Sequence, residues 1–281
     1  LCGFEALDGV EKTLGIPWRN IEVFLSHFHD DHDGNLLYCV QKGASKLYSG
    51  PTQIDSRALI DNFLVLSSSA DLKSDSASSF IRLVAAGKKA QTYTQGSRIE
   101  LHGGETLSIA GYHFDVLLTP GHTSNHLCLL DKSKKIFFAG DHICDAPPGC
   151  MQYAINDHLI ARYLESLAQL KELNLQAVYM CHHNPLRGSF EINRFISLIE
   201  GRYETLVIRA RKLFADHEEL TVREAAIVAA AHYPRGLEGF PVSTQINRIA
   251  TIFGTLEYLY DLGLLTRFIS DEGALVYRRS W

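Results

Sequence analysis

Three histidines and three aspartates stand between Ser26 and Asn35, near the start of the chain, and the pattern His27, His29, Asp31 and His32 is the one considered for metal binding. His27 and His29 are two residues apart, so in an extended segment their side chains point the same way and can bind one metal ion. Asp31 and His32 follow at once and can turn toward a second ion. Four such polar groups at the end of an apolar strand would otherwise need partners that the local sequence does not supply. The segment therefore predicts metal-dependent chemistry.

Three later segments repeat this arrangement, because each places a histidine or an aspartate just after an apolar strand. They are Thr119 to Thr123, Phe138 to His142 and Cys181 to Pro185. One edge of a layered α/β fold is where strand ends position ligand-binding side chains. Alone, a Gly-His or Gly-Asp dipeptide is more typical of a turn, but the four segments in this order indicate one shared site.

The four segments together resemble the motifs of the metallo-β-lactamase superfamily, in which His-x-His-x-Asp-His is followed by a distant His, Asp and His. The resemblance covers about residues 1–190. It implies an α/β (α+β) fold, an αββα sandwich with two metals at one edge. The ligands that it implies are His27, His29 and His122 for the first metal, Asp31, His32 and His182 for the second, and Asp141 for both.

The chain departs from the family pattern in places. The last ligand of the family normally lies in Gly-His-Gly, whereas this chain has Cys181, His182 and His183 in a row, and we assign the ligand to His182 by position. His126 and His142 are interpreted as residues that support ligands or face the substrate. Family members usually begin with further strands, so the start of the fold is expected to be short.

The ligand types also favour a particular metal and reaction. An imidazole-rich site with one bridging carboxylate suits two zinc ions, with iron or manganese as alternatives. A water between two ions loses a proton near neutral pH and becomes the nucleophile, and Asp31 would be the catalytic residue that orients it. The predicted reaction is hydrolysis of an ester, thioester or lactone-type carbonyl. An endoribonuclease or phosphodiesterase of the same fold and a single-iron persulfide dioxygenase are the alternatives.

Strand patterns account for the placing of these motifs. Ile21 to Ser26 is rich in β-formers and predicts a buried strand that leads into the first motif. Apolar runs at about 113–118, 127–130 and 135–139 predict the strands before and between His122 and Asp141. The motifs are therefore expected at strand ends.

Helical periodicity at about 54–66 and 79–86 predicts an insertion over about residues 52–90. We interpret it as a lid over the metals, although its apolar side chains could equally pack on the sandwich. Residues 147–153 are expected to form another pocket wall. The apolar side chains of the proposed lid are Leu59, Ile60, Phe63 and Leu64.

The character of the chain changes after Gly188, where long helical patterns begin. Thr221 and Glu224 have the spacing of a capping box, and residues 264–279 predict a hairpin. Helices followed by a hairpin resemble a winged-helix unit, as in the branch with β-lactamase-like protein 2 and glyoxalase II-like enzymes. We therefore divide the chain into a catalytic domain, 1–190, and a helical winged-helix-like appendage, 191–281.

Composition limits the partners of the chain. Its 281 residues are 46% hydrophobic with a net charge of −5, which is typical of a soluble protein and offers no basic stripe for nucleic acid. No apolar run approaches the roughly 20 residues that span a bilayer. Six cysteines without a Cys-x-x-Cys pair favour free thiols in the cytoplasm. We expect a small-molecule substrate, with a homodimer left open.

Overall fold

The computed structural model describes residues 4–51, 56–72, 98–144 and 150–281. The predicted helix at 79–86, most of the predicted lid and residues 147–149 of the expected pocket wall lie outside these ranges. No helix in the described part of the chain combines the length and the apolar character needed to cross a membrane.

A three-stranded parallel sheet forms one layer of the sandwich. Its strands are β1 (Glu22–Leu25), β2 (Lys46–Ser49) and β3 (Arg98–Glu100), adjacent in that order. Leu25 and Leu47 of this sheet pack against Leu36 of a short helix, because the apolar side chains of all three are buried together. The helices of this part are α1 (Phe4–Leu14), α2 (Asp30–Asp33), α3 (Leu36–Gln41) and α4 (Ser56–Leu66).

A six-stranded sheet forms the second layer, with its strands adjacent in chain order. All neighbouring pairs are antiparallel except β7 (Ile136–Gly140) and β8 (Ala177–Met180). These two strands are parallel and are joined by a crossover helix, α5 (Leu159–Glu172). The strands are β4 (Thr106–Ile109), β5 (Tyr112–Leu118), β6 (Leu127–Asp131), β7 (Ile136–Gly140), β8 (Ala177–Met180) and β9 (Leu186–Arg187).

The two sheets enclose one apolar core and α5 covers a second. Tyr48 of the first sheet meets Val116 and Leu129 of the second between the layers. Tyr163 and Leu167 of α5 pack on the opposite face of the six-stranded sheet. Strand side chains alternate between the faces, so β6 contributes to both cores. The predicted αββα fold class is confirmed.

The C-terminal part combines helices with a small antiparallel sheet, whose strand order is β10, β12, β11. Thr221 accepts a hydrogen bond from the backbone of Glu224 and the Glu224 side chain accepts one in return, which confirms the predicted capping box. The elements are α6 (Ser189–Leu213), β10 (Glu219–Thr221), α7 (Val222–Ala230), α8 (Val242–Asp261), β11 (Leu265–Ile269) and β12 (Leu275–Arg279).

Helix α4 packs into the C-terminal core. Phe63 is fully buried, stacked on Phe253 of α8 at 6.1 Å between ring centroids and edge-on to Tyr153. Ile60 and Leu64 are buried in the same cluster. These three side chains therefore pack in the C-terminal core rather than on the sandwich, and Leu59 is the exception described below.

Candidate metal centre

Three imidazoles converge at the ends of β1 and β5. Nε2 of His27 and Nε2 of His122 each lie 3.0 Å from Nδ1 of His29. His27 is buried and the other two rings are partly buried. The loop after β1 thus supplies two nitrogen donors and the loop after β5 a third, as their positions at strand ends predicted.

A second group of donors lies beside the first. Nε2 of His182 is 3.3 Å from Oδ2 of Asp31 and 3.4 Å from Nε2 of His32. Nε2 of His32 lies 3.7 Å from Oδ2 of Asp31. The ring of His182, rather than that of His183, joins this group.

Asp141 connects the two groups through a single oxygen atom. Its Oδ2 lies 3.2 Å from Nε2 of His32 and 3.3 Å from Nε2 of His182. The same atom lies 3.6 Å from Nε2 of His122 in the first group. One carboxylate oxygen therefore faces both sets of donors at once.

The donor atoms fit divalent metal ions. Ligands about 2.1 Å from a tetrahedral ion are separated by ~3.4 Å, and most spacings within the groups lie near this value. Nitrogen atoms of neighbouring imidazoles face one another here, which is favourable only when a proton or a cation lies between them. Two divalent ions would satisfy both groups. One would be bound by His27, His29 and His122, and the other by Asp31, His32, His182 and the shared Asp141.

A sequence model described as the metallo-beta-lactamase superfamily matches residues 14–182, which is more than half of the chain. The chain belongs to this superfamily. Its structure is similar to that of a metallo-beta-lactamase family protein from Thermus thermophilus, with 20% identity, a TM-score of 0.63 and coverage of 98% of this chain and 85% of that one. A beta-lactamase domain protein from Burkholderia ambifaria is 17% identical, with a TM-score of 0.71 and coverage of 98% and 78%. Both likenesses extend the shared fold over the C-terminal helices.

Burial keeps the imidazoles of the first group, His27, His29 and His122, uncharged. It lowers the pKa of His29 to about 3 and that of His122 to about 4, with the neighbouring imidazoles adding to the effect. Burial also holds the pKa of His27 well below its ordinary value. Metal ligands must be neutral imidazoles, so these residues are in the binding form at neutral pH.

The second group retains a proton. Burial opposes the charged form of His32, but hydrogen bonds with Asp141 and Cys181 outweigh it and raise the pKa of His32 to about 10. The pKa of Asp141 is lowered, since the same bond overcomes the effect of its burial. A metal ion would replace the proton that His32 and Asp141 share, so binding at the second group is expected to release it.

A buried histidine holds the backbone of the residue that carries the shared carboxylate. The backbone N–H of Asp141 donates to Nε2 of His126 at 3.3 Å, which leaves Nδ1 of His126 to donate to Oγ1 of Thr119 at 2.9 Å. Gly140 has a φ of +51°, and a Cβ there would lie 2.7 Å from the Oγ of Ser26. The sequence predicted a supporting role for His126 but not its contact with Asp141.

His142, the other histidine interpreted as a supporting or substrate-facing residue, contacts helix α5. Its ring is fully buried and Nε2 lies 2.8 Å from the Oγ of Ser166 on α5. The hydroxyl of Tyr163 donates to the His142 carbonyl at 2.7 Å. His142 therefore fixes the end of β7 on α5. Of the two roles left open for it, ligand support and substrate contact, its full burial contradicts the second.

A pocket opens beside the first group of ligands. Leu59 of α4 and Leu159 of α5 contribute to its wall, together with Met151 and Tyr153 from the segment between β7 and α5, as expected for the latter two. Asp157 also lines it, and burial raises the pKa of this carboxyl. A lone acidic residue gives no signal in the sequence, so the place of Asp157 in the pocket wall was not predicted.

Proposed function

We propose that the chain is a binuclear metal-dependent hydrolase that acts on an ester, thioester or lactone-type carbonyl. The observation that carries the proposal is the position of Asp141 Oδ2, within 3.6 Å of donors in both groups. A single shared oxygen suits two closely spaced ions better than one. Zinc is the proposed metal, because imidazole predominates among the ligands.

Two such ions would lower the pKa of a water between them and polarise the carbonyl oxygen of the substrate. Asp31 is the residue proposed to orient that water and accept its proton. Its side chain is 45% exposed, whereas that of Asp141 is only 10% exposed, so Asp31 is the carboxylate that solvent reaches. His122 and His29 line the pocket, so a metal ion held by them would lie beside a substrate bound there.

The pocket supports an acyl group as the part of the substrate that is recognised. Leu59, Met151 and Leu159 offer apolar contact close to His29. Apolar walls with a few polar groups are typical of small-molecule sites. An acyl chain along these residues would bring its carbonyl carbon to the metals.

Endoribonuclease activity is a second candidate, supported by the order of the C-terminal elements. The succession of α6, β10, α7, α8 and a hairpin is what we propose as a winged-helix unit. However, Arg267 is paired with the buried Glu257 and Arg278 with Glu219. Arginines that are already paired contribute less to binding phosphates, so we rank RNA below acyl substrates.

Elemental analysis of protein purified without added metal or chelator tests the proposal. We expect about two zinc ions per chain and hydrolysis of a thioester, an ester or a lactone that His29→Ala abolishes. A structured RNA is assayed in parallel, and cleavage of RNA alone would favour the second candidate. A single iron with oxygen consumption on a persulfide would overturn both.

A further inference from the structure

A separate and larger cavity lies in the C-terminal part, between α6, α7 and α8. Its volume is about 770 Å³, within the usual range of small-molecule sites. None of the described residues that line it lines the pocket beside the metal ligands. Leu206 and Leu213 of α6 and Ile252 of α8 form apolar walls, with small alanines of α7 opposite. The cavity is therefore wide and apolar without being part of the proposed active site.

Two arginines, Arg209 and Arg248, line this cavity, and among the described residues that line it none is an aspartate or a glutamate. The chain as a whole carries a net charge of −5, so a wall without acidic residues contrasts with the rest of the protein. Such a wall attracts an anion.

Arg248 is the cation that a ligand would meet. Its guanidinium lies 4.1 Å from the ring centroid of Phe240 and 4.8 Å from that of Tyr233, so two aromatic faces fix its position. Among the described residues it has no carboxylate partner, and its one hydrogen bond is a long one of 3.5 Å to the hydroxyl of Tyr233. Its Nε is buried and unpaired. A guanidinium has five N–H donors, so most of the donors of Arg248 remain available.

We propose that this cavity binds an amphipathic carboxylate of the medium-chain fatty-acid type. The alkyl chain would lie along Leu206, Leu213 and Ile252, where burial of each methylene favours binding. The carboxylate would accept hydrogen bonds from Arg248, a charge-assisted pairing that a guanidinium makes with two parallel bonds. The proposal does not depend on the function of the metal centre.

Calorimetric titration of the metal-loaded protein with dodecanoate tests the site. We expect one molecule bound per chain, and binding at least tenfold weaker for dodecanol, which has the same chain and no charge. Arg248→Gln should weaken dodecanoate binding at least tenfold, and Ala229→Phe should weaken both ligands by filling the cavity. Arg202→Gln, on the exposed side of the same bundle, is the matched control and should bind dodecanoate normally.

Two further readouts separate this cavity from the metal centre, to which a carboxylate could also bind. His29→Ala should retain dodecanoate binding, and Arg248→Gln should retain metal content and hydrolysis. Loss of binding in His29→Ala, equal binding of dodecanol, or undiminished binding in both Arg248→Gln and Ala229→Phe would each overturn the proposal. Absence of binding to the unmodified protein would do the same.

Discussion

Nε2 of His126 accepts a hydrogen bond from the backbone N–H of Asp141 at 3.3 Å. His126 is completely buried and belongs to neither donor group, yet it holds the residue that faces both. Its other nitrogen is engaged by Thr119, so the ring has one fixed orientation. The position of the shared carboxylate thus depends on a chain of buried bonds.

His126→Ala is expected to weaken metal binding by about 10–100-fold, because residues that orient ligands have effects of this size. Competition with a chromophoric zinc chelator measures the affinity. His113→Ala is the control, since this exposed histidine of β5 bonds only with Ser108 among the described residues. Equal affinities in the two variants would show that His126 does not support the site.

His182→Ala is expected to reduce the metal content from about two ions per chain to about one. Nε2 of His182 lies within 3.4 Å of donors on Asp31, His32 and Asp141, all in the second group. His183→Ala should keep both ions, and elemental analysis compares the two. Loss of metal in His183→Ala alone would mean that the last ligand is assigned to the wrong residue.

Asp157→Asn is expected to stabilise the fold at neutral pH. Burial raises the pKa of this carboxyl above its ordinary value of 3.8, so the folded state holds its proton more tightly than the unfolded state. The resulting penalty is absent below pH 3.8 and grows as pH rises through the folded pKa. Urea unfolding at pH 7.5 and pH 4 should show a gain that shrinks on acidification. Asp216→Asn, which removes a carboxylate from an exposed position, is the matched control.

Glu257→Gln is expected to destabilise the protein by about 3–5 kcal/mol, the usual cost of breaking a buried ion pair. Glu257 is fully buried, is paired with Arg267 and accepts a 2.6 Å hydrogen bond from Tyr277. The free energy of unfolding in urea measures the loss. Glu238→Gln, which alters an exposed glutamate, should change it by less than about 0.5 kcal/mol.

Leu59→Ala is expected to raise KM for long-chain acyl esters several-fold while short-chain esters are affected less. Leu59 is the residue of α4 found in the pocket wall. Val65→Ala is a control on the same helix, because Val65 is 46% exposed and lies outside that wall. An equal effect on short and long esters would argue against acyl recognition by α4.

The strands that carry the site could be predicted because each is a short apolar run that ends at a polar motif. β1 and β7 differ from the prediction by one residue at each end. The positions of His122 and Asp141 after apolar strands indicated that they share one site with the first motif, and the assignment of each residue to a particular metal came from the family resemblance.

Other features depend on contacts between distant residues and left no local signal. β10 is only three residues long and gains its stability by pairing with β12 near the end of the chain. No local pattern indicated α1 or β9 either. Phe63 has the apolar character expected of a lid residue, but its side chain is buried against Phe253 in the C-terminal core.

The packing of α4 on α8 affects how the chain can be divided. Ile60, Phe63 and Leu64 of the N-terminal part share one core with Ile249 and Phe253 of the C-terminal part. Separation after residue 190 would expose this surface to water on both fragments. The two parts are therefore expected to melt together, and an isolated fragment 1–190 to be prone to aggregation.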